Sequence, residues 1–208
     1  MIDEGCKITI KGKIMESNVF STPEADLIDA NNDINSDVSQ EFYVTSKNKF
    51  ITLYVATMGL YSLFWFYQNW RLYKIKNNEH MWPVMRAIFS IFFTHSLFEA
   101  IDSRLKRDKV DFSWNHNFLA TVFVIASIIS EICDRLSNND VGGMVAVFVP
   151  ILILPILGGC LFKAQQATNF ACGDEEGEIN NQLTAANYIW IVLGIGLWSL
   201  IVLAVFID

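Results

Sequence analysis

The stretch from Val141 to Phe162 reads VGGMVAVFVPILILPILGGCLF and holds 22 consecutive residues without a charge. At about 1.5 Å of rise per residue, a helix of this length reaches across roughly 30 Å of bilayer hydrocarbon. A second run, Asn187 to Ile207, holds 21 uncharged residues. The two runs predict membrane-spanning helices over about 141–163 and 187–207, and therefore an all-α, polytopic transmembrane bundle.

Two further apolar runs predict two more spans. Residues 50–67 are uncharged and lead into aromatic and basic residues, a pattern typical of the cytoplasmic membrane surface. We expect a helix over about 50–70 in which Gly59 marks a close helix contact or a slight kink. The third span is expected over about 114–134. A polar link at 137–140 then predicts a tight antiparallel hairpin with the Val141–Phe162 helix.

The segment 84–101 has spanning length but contains Arg86, His95 and Glu99. Its polar face changes sides near residues 94–96, whereas an amphipathic surface helix would keep one polar stripe. We therefore expect two half-helices that enter the membrane and return, or a segment buried among other helices. If it crosses instead, the bundle has five spans.

Charge favours the non-crossing alternative. Eight of the fifteen basic residues lie between Arg71 and Lys109. With four spans and a non-crossing 84–101, these eight share one side with Lys163, opposite Lys47, Lys49 and Arg135. Five spans would divide the basic residues seven to five. The positive-inside rule thus predicts four spans, with the N-terminal tail on the outside.

Composition supports a membrane protein with one folded domain. The chain is 52% hydrophobic and 18% charged, below the roughly 25% charge that is usual for soluble domains. Residues 1–41 are polar and acidic and are expected to form a disordered leader, followed by a helical domain over 42–208. Since the basic residues flank apolar spans, a nucleic-acid partner is not expected. The four scattered cysteines favour packing roles over disulfide or metal binding, and no cofactor is expected.

Ionisable and amide side chains near membrane depth are the candidate functional residues. His95 and Glu99 have i,i+4 spacing, which fits a proton relay or ion-binding pair, or a local hydrogen bond between two buried polar groups. Glu131 and Arg135 share that spacing at a helix end and predict a salt bridge. The amides after the third span either line a polar vestibule or cap helix ends. The complete candidate set is Arg86, His95, Glu99, Glu131, Arg135, Lys163, Gln165, Gln166 and Asn169.

The chain contains several short motifs: Phe42-Tyr43-Val44 with Ser46 and Lys49-Phe50, Thr57-Met58-Gly59-Leu60-Tyr61, Trp65-Phe66-Tyr67 with Trp70, Arg86-Ala87-Ile88-Phe89, Ser96-Leu97-Phe98, Phe162-Lys163-Ala164-Gln165-Gln166 with Asn169, and Trp190 through Gly194 to Trp198. Together these motifs resemble an uncharacterised family of multi-pass membrane proteins from the bacterial inner membrane. The resemblance implies a location in the bacterial inner membrane and supplies no activity. Within its motifs, Arg86, Lys163, Gln165, Gln166 and Asn169 are the preferred site residues.

No catalytic motif is visible, so we do not expect an enzyme. The sequence instead favours an accessory protein that binds a membrane partner or a second copy of itself within the lipid bilayer. The alternative is a small transporter or channel subunit with a polar path lined by 84–101, since broken helices and intramembrane polar residues form such paths.

Overall fold

Seven α-helices and one short 3-10 helix make up the computed structural model, which describes residues 40–139 and 141–207. No strand occurs in this part of the chain, which confirms the all-α class. The predicted leader 1–41 lies outside the described residues, apart from Gln40 and Glu41. In chain order the helices are α1 (Lys47–Ala56), α2 (Tyr61–Asn77), α3 (Pro83–Ile88), α4 (Ser90–Arg107), α5 (His116–Ser137), α6 (Gly143–Ala171), the 3-10 helix Glu178–Asn180, and α7 (Ala185–Ile207).

The chain reverses between α1 and α2, so the prediction of one continuous span over 50–70 is wrong. Met58 and Gly59 have φ values of 52° and 83°, and this left-handed pair ends α1. The turn satisfies its own backbone, since Gly59 N donates to Tyr54 O and the Thr57 hydroxyl accepts from Tyr61 N. As a result Asn77, at the end of α2, returns to contact Glu41, 36 residues earlier.

Residues 78–107 leave Glu41 and return to it, as residues 41–77 do. We call these two out-and-back segments the excursions. The chain leaves α2 after Asn77, runs through α3, and returns along α4 until Arg104 and Arg107 also contact Glu41. The helical path breaks at Phe89, whose φ of −96° and ψ of 37° lie outside the helical region. The predicted break at residues 94–96 is therefore wrong in position, because α4 is continuous from Ser90. The chain path nevertheless returns to Glu41 by the end of α4.

The last three helices are the longest. α5 begins near the end of the molecule that contains Glu41 and runs away from it. α6 runs back beside α5 in the antiparallel direction, as predicted from the short link at 137–140. Pro150 and Pro155 both lie inside α6, which continues as a single helix from Gly143 to Ala171. α7 packs against the end of α1, where Trp198 Nε1 donates a hydrogen bond of 3.1 Å to Val55 O.

In the described part of the chain, two helices, α5 and α6, are long and apolar enough to cross a membrane. The apolar stretch described in α7, Ala185–Leu200, is shorter. Four spans are therefore not supported. Only 17% and 24% of the most apolar windows of α5 and α6 are buried, whereas the core helix of a soluble protein would be mostly buried. Their exposure thus favours membrane association.

Small residues let α1 and α6 approach closely. The Tyr54 ring lies over Gly158, where an added Cβ would come within 2.6 Å of Tyr54 Cε1. The Tyr54 hydroxyl then donates to Leu154 O at 3.0 Å. The neighbouring Gly159 has no atom within 4 Å of such a Cβ. Gly158 therefore has a packing role, and Gly159 does not contribute to this contact.

The basic residues are distributed unevenly between the two ends of the molecule. Of the twelve Lys and Arg residues in the described part of the chain, Arg135 alone lies beside the α5–α6 connection. The other eleven lie on α1 to α4, on the 108–115 connection, and in the last third of α6. We call the end that contains Glu41, Asn77 and Arg107 the basic end. Lys47 and Lys49 belong to it, which contradicts the predicted placement of these lysines opposite residues 71–109.

Candidate functional site

Glu41 joins the two excursions at the basic end. Its carboxylate accepts hydrogen bonds of 2.7 Å from both Arg104 and Arg107 and one of 2.9 Å from Asn77 Nδ2. The residue is only 6% exposed. Burial alone would raise the pKa of this carboxyl group, but the hydrogen bonds from Asn77, Arg104 and Arg107 outweigh it and hold the pKa below its usual value.

The substitution Glu41→Gln should destabilise the fold by about 1–2 kcal/mol at neutral pH, since it removes the charge that two arginines share. Because the folded-state pKa is lowered, this stabilisation is fully present above the unfolded value of about 4.3. It is lost as the pH falls through the lower folded value. We expect unfolding midpoints of wild type and Glu41→Gln to differ at pH 7 and to converge in acid.

Glu99→Gln is the matched control for this measurement. Glu99 lines the same cavity of about 280 Å³ as Glu41, but it is exposed and forms no ion pair with a described residue. Its substitution should leave the neutral-pH midpoint nearly unchanged. A difference between Glu41→Gln and wild type that is independent of pH would contradict the ionic explanation.

A buried network of amides binds the extended segment 42–46. Gln165 Nε2 donates to Tyr43 O at 3.0 Å and to Asn169 Oδ1 at 2.6 Å, and Trp65 Nε1 donates to Gln165 Oε1. Asn169 Nδ2 donates to Thr45 O at 2.9 Å. These amides pair with backbone groups that neither a helix nor a sheet satisfies. Two of the predicted site residues, Gln165 and Asn169, are thus brought together in a structural role.

Arg86 lies in an aromatic cradle. Its guanidinium carbon is 4.3 Å from the ring centroid of Trp70 and 5.1 Å from that of Phe93. Both distances fall within the range of cation–π attraction. The side chain is half-buried and makes no ion pair with a described residue. The cradle therefore holds the positive charge without neutralising it.

A second polar cavity, of about 390 Å³, lies where the two excursions turn. It contains residues from both turns, and α5 supplies hydroxyl and carboxylate groups next to them. Its polar lining consists of Ser62, Ser90, Ser127, Ser130, Glu131 and Asp134. Along both α2 and α4, the Arg86 cradle falls between this cavity and the Glu41 cavity, because Trp70 lies between Ser62 and Asn77, and Phe93 lies between Ser90 and Arg104.

The remaining predicted residues are dispersed. His95 Nε2 lies 3.2 Å from the Thr121 hydroxyl and forms no hydrogen bond with Glu99, so the predicted i,i+4 hydrogen bond is absent. Glu131 and Arg135 do form the predicted salt bridge, at 2.9 Å. Lys163 lies over the Phe112 ring at 4.4 Å. Gln166 is half-buried, and its side chain forms no hydrogen bond with a described residue.

Sequence reasoning missed Glu41, Trp65 and Asn69. Asn69 Oδ1 accepts from Tyr43 N at 3.1 Å, and Asn69 Nδ2 donates to Trp65 O, so this amide binds segment 42–46 from the α2 side. The sequence did contain a signal for Asn69, since it is a polar residue inside the aromatic run at 61–70 and such a residue needs a hydrogen-bond partner. No local pattern marks Glu41, since its partners lie 36 to 66 residues away.

The described residues hold no group of three or more His, Cys, Asp or Glu side chains that could bind a metal ion. The arrangement therefore offers hydrogen-bonded structural networks, one unneutralised guanidinium and one hydroxyl-lined cavity. Comparison of the chain with protein-family models, curated proteins and solved structures found no match.

Proposed function

We propose that this chain is an integral membrane protein whose basic end faces the cytoplasm. In this arrangement α5 and α6 cross the bilayer, α7 enters it, and the two excursions enter from the basic end and return. The uneven distribution of basic residues supports this orientation. Eleven of the twelve described Lys and Arg side chains then lie on the cytoplasmic side or partway into the membrane from that side. The acidic tail stays in the cytoplasm, and no translocation of it is required.

The exposed apolar side chains support the same placement. They occur on both long helices and at the turns of the excursions, where water would be an unfavourable neighbour. Examples are Leu60, Phe89, Phe92, Phe118, Ile125, Ile129, Val145, Phe148 and Leu152. The resemblance described above adds the bacterial inner membrane as the proposed location.

Within that membrane we propose a non-enzymatic accessory role, exercised by binding a membrane protein partner or a second copy of the chain. The observation that carries this proposal is the internal pairing of the polar residues. Glu41, Gln165, Asn169 and the Glu131–Arg135 pair find their partners inside the chain. These residues are therefore engaged in structural contacts.

Two measurements test the proposal. Topology reporters fused after Lys76, Lys109 and Asp174 should all report the cytoplasm, and a reporter after Asn139 should report the opposite side. Purification in mild detergent should then recover a stoichiometric partner or a defined homo-oligomer. Reporters after Lys76 and Lys109 on opposite sides would contradict the proposed topology, and a monodisperse monomer without a partner would contradict the accessory role.

A transport subunit is the second candidate, and the hydroxyl-lined cavity favours it. That cavity and the Glu41 cavity lie along the same α2–α4 path on either side of Arg86. Wild-type protein in liposomes should then raise proton or small-ion flux above that of empty liposomes. Ser90→Leu, which fills the cavity at the turn, should reduce that flux. An absence of flux from wild type would remove this candidate.

A further inference from the structure

We propose that Arg86 binds the phosphate group of a membrane phospholipid. This inference rests on the proposed membrane placement and assigns a ligand to a residue whose charge the protein leaves unneutralised. The guanidinium carries five N–H donors, and no described carboxylate or carbonyl accepts from them. A half-buried cation with unpaired donors is costly unless an acceptor comes from outside the chain.

The two rings that flank the guanidinium add one donor and supply no acceptor. The Trp70 side chain beneath the guanidinium is 1% exposed, and its indole N–H has no hydrogen-bond partner. Phe93, on the other side, offers only a ring face. Three basic residues at this end are neutralised within the chain, since Arg104 and Arg107 share Glu41, and Lys47 pairs with Glu176. Arg86 differs from these three because its guanidinium is half-buried between two rings and has no acidic partner among the described residues.

The exposed side chains around Arg86 indicate a lipid and not a soluble anion. Met85, which precedes Arg86 in α3, is 42% exposed, and Phe89, which follows the last residue of α3, is 46% exposed. Phe92 is 77% exposed. Trp82, which precedes α3, is also 77% exposed. An exposed Trp beside an apolar surface is typical of the headgroup layer of a bilayer. A phosphodiester on the guanidinium would place acyl chains against these apolar side chains.

Arginine suits this role better than lysine for two reasons. Its planar fork can form two parallel hydrogen bonds to a phosphate, and its flat face can stack on an aromatic ring at the same time. The Trp70 and Phe93 rings hold the guanidinium in place, which lowers the entropy lost when a lipid binds. A single lipid headgroup thus becomes an integral part of the α2–α3–α4 packing.

Native mass spectrometry and thermal unfolding of the full-length protein in detergent test the proposal, with dioleoylphosphatidylglycerol as the probe. Wild type should retain bound lipid and unfold at a higher temperature as lipid is added. Arg86→Gln should weaken lipid binding about tenfold, the equivalent of one charge-assisted hydrogen bond. Arg86→Lys keeps the charge and should bind with intermediate affinity, which provides a readout if the glutamine variant does not fold.

Three controls sharpen the outcome. Arg135→Gln removes the basic residue at the opposite end and should bind the lipid as wild type does. Dioleoylglycerol, which lacks a phosphate, and inorganic phosphate, which lacks acyl chains, should each fail to stabilise wild type. Equal lipid affinity in wild type, Arg86→Lys and Arg86→Gln would overturn the assignment of Arg86, and stabilisation by inorganic phosphate alone would overturn the lipid. Protein that is monodisperse without detergent would instead overturn the membrane proposal itself.

Discussion

The substitution Gly194→Ala is expected to separate α7 from α1 and to lower stability by about 2–3 kcal/mol, as overpacking in a tightly packed contact does. A Cβ at Gly194 would lie 1.9 Å from Ala56 O and 2.6 Å from Ala56 C. Both atoms belong to the backbone, so no side-chain rotation relieves the clash. Helix α7 would have to move away, and the hydrogen bond from Trp198 Nε1 to Val55 O would be lost with it.

The consequence is large if α1 ends inside the membrane, as the proposed placement has it. The last carbonyl groups of a helix lack intrahelical partners, and apolar surroundings offer no water to replace them. Here the Thr57–Gly59 turn satisfies part of this requirement, and Trp198 adds a second donor to Val55 O, which also accepts from Met58 N at 3.2 Å. Thermal unfolding in detergent, together with tryptophan fluorescence, should report the loss of the α1–α7 contact.

Gly196→Ala is the matched control in the same helix. A Cβ at Gly196 meets no atom within 4 Å, and alanine favours a helix over glycine by about 1 kcal/mol. This variant should therefore be as stable as wild type or more stable. Equal unfolding midpoints for Gly194→Ala and Gly196→Ala would contradict the close contact between α1 and α7.

The second large effect is expected for Asn169→Leu. The Asn169 amide donates to Thr45 O at 2.9 Å and accepts from Thr45 N at 3.3 Å, and it also accepts from Gln165. Thr45 is fully buried. Leucine would leave the N–H and C=O of Thr45 without these bonds, at about 1–3 kcal/mol for each group. We expect a loss of about 3 kcal/mol or more and release of segment 42–46 from α6.

Proteolysis and unfolding measurements check this expectation, with Gln166→Leu as the control. Gln166 lies three residues before Asn169 on the same helix and is half-buried, with no hydrogen bond recorded to a described residue. It should tolerate leucine with a change of less than about 0.5 kcal/mol, as surface substitutions do. If Asn169→Leu resists proteolysis near residues 42–46 as well as Gln166→Leu does, the network does not hold that segment in place.

The long apolar helices were predictable because their signal is local. The runs at 114–134, 141–163 and 187–207 correspond to α5, α6 and α7, and their ends differ by eight residues or fewer from the predicted ends. The Glu131–Arg135 salt bridge was predictable for the same reason, since i,i+4 spacing on a helix brings the two side chains together. In these elements the helix is determined by hydrogen bonds and hydropathy of residues that are close together in the sequence.

The reversal at 57–60 was not predictable from hydropathy. Residues 50–67 are uniformly uncharged, and a continuous helix satisfies that composition as well as a broken one does. The choice depends on left-handed conformations at Met58 and Gly59, and on partners supplied by α7 and α6 to the end of α1. The same reasoning applies to Glu41, whose partners come from α2 and α4.

By itself, the amino-acid sequence determined that this chain is helical and where its three longest helices lie, but not that the equally long run at 50–70 is broken, because apolar length and backbone pairing are properties of neighbouring residues. Tertiary structure alone decided that residues 41–77 and 77–107 leave and return to one point. It also decided that Gln165 and Asn169 bind an extended segment, and that Arg86 stacks between two rings without an acidic partner. The first two outcomes depend on buried polar groups finding acceptors or donors far away in the chain, and the third depends on how α2, α3 and α4 pack; no periodicity or spacing encodes either requirement.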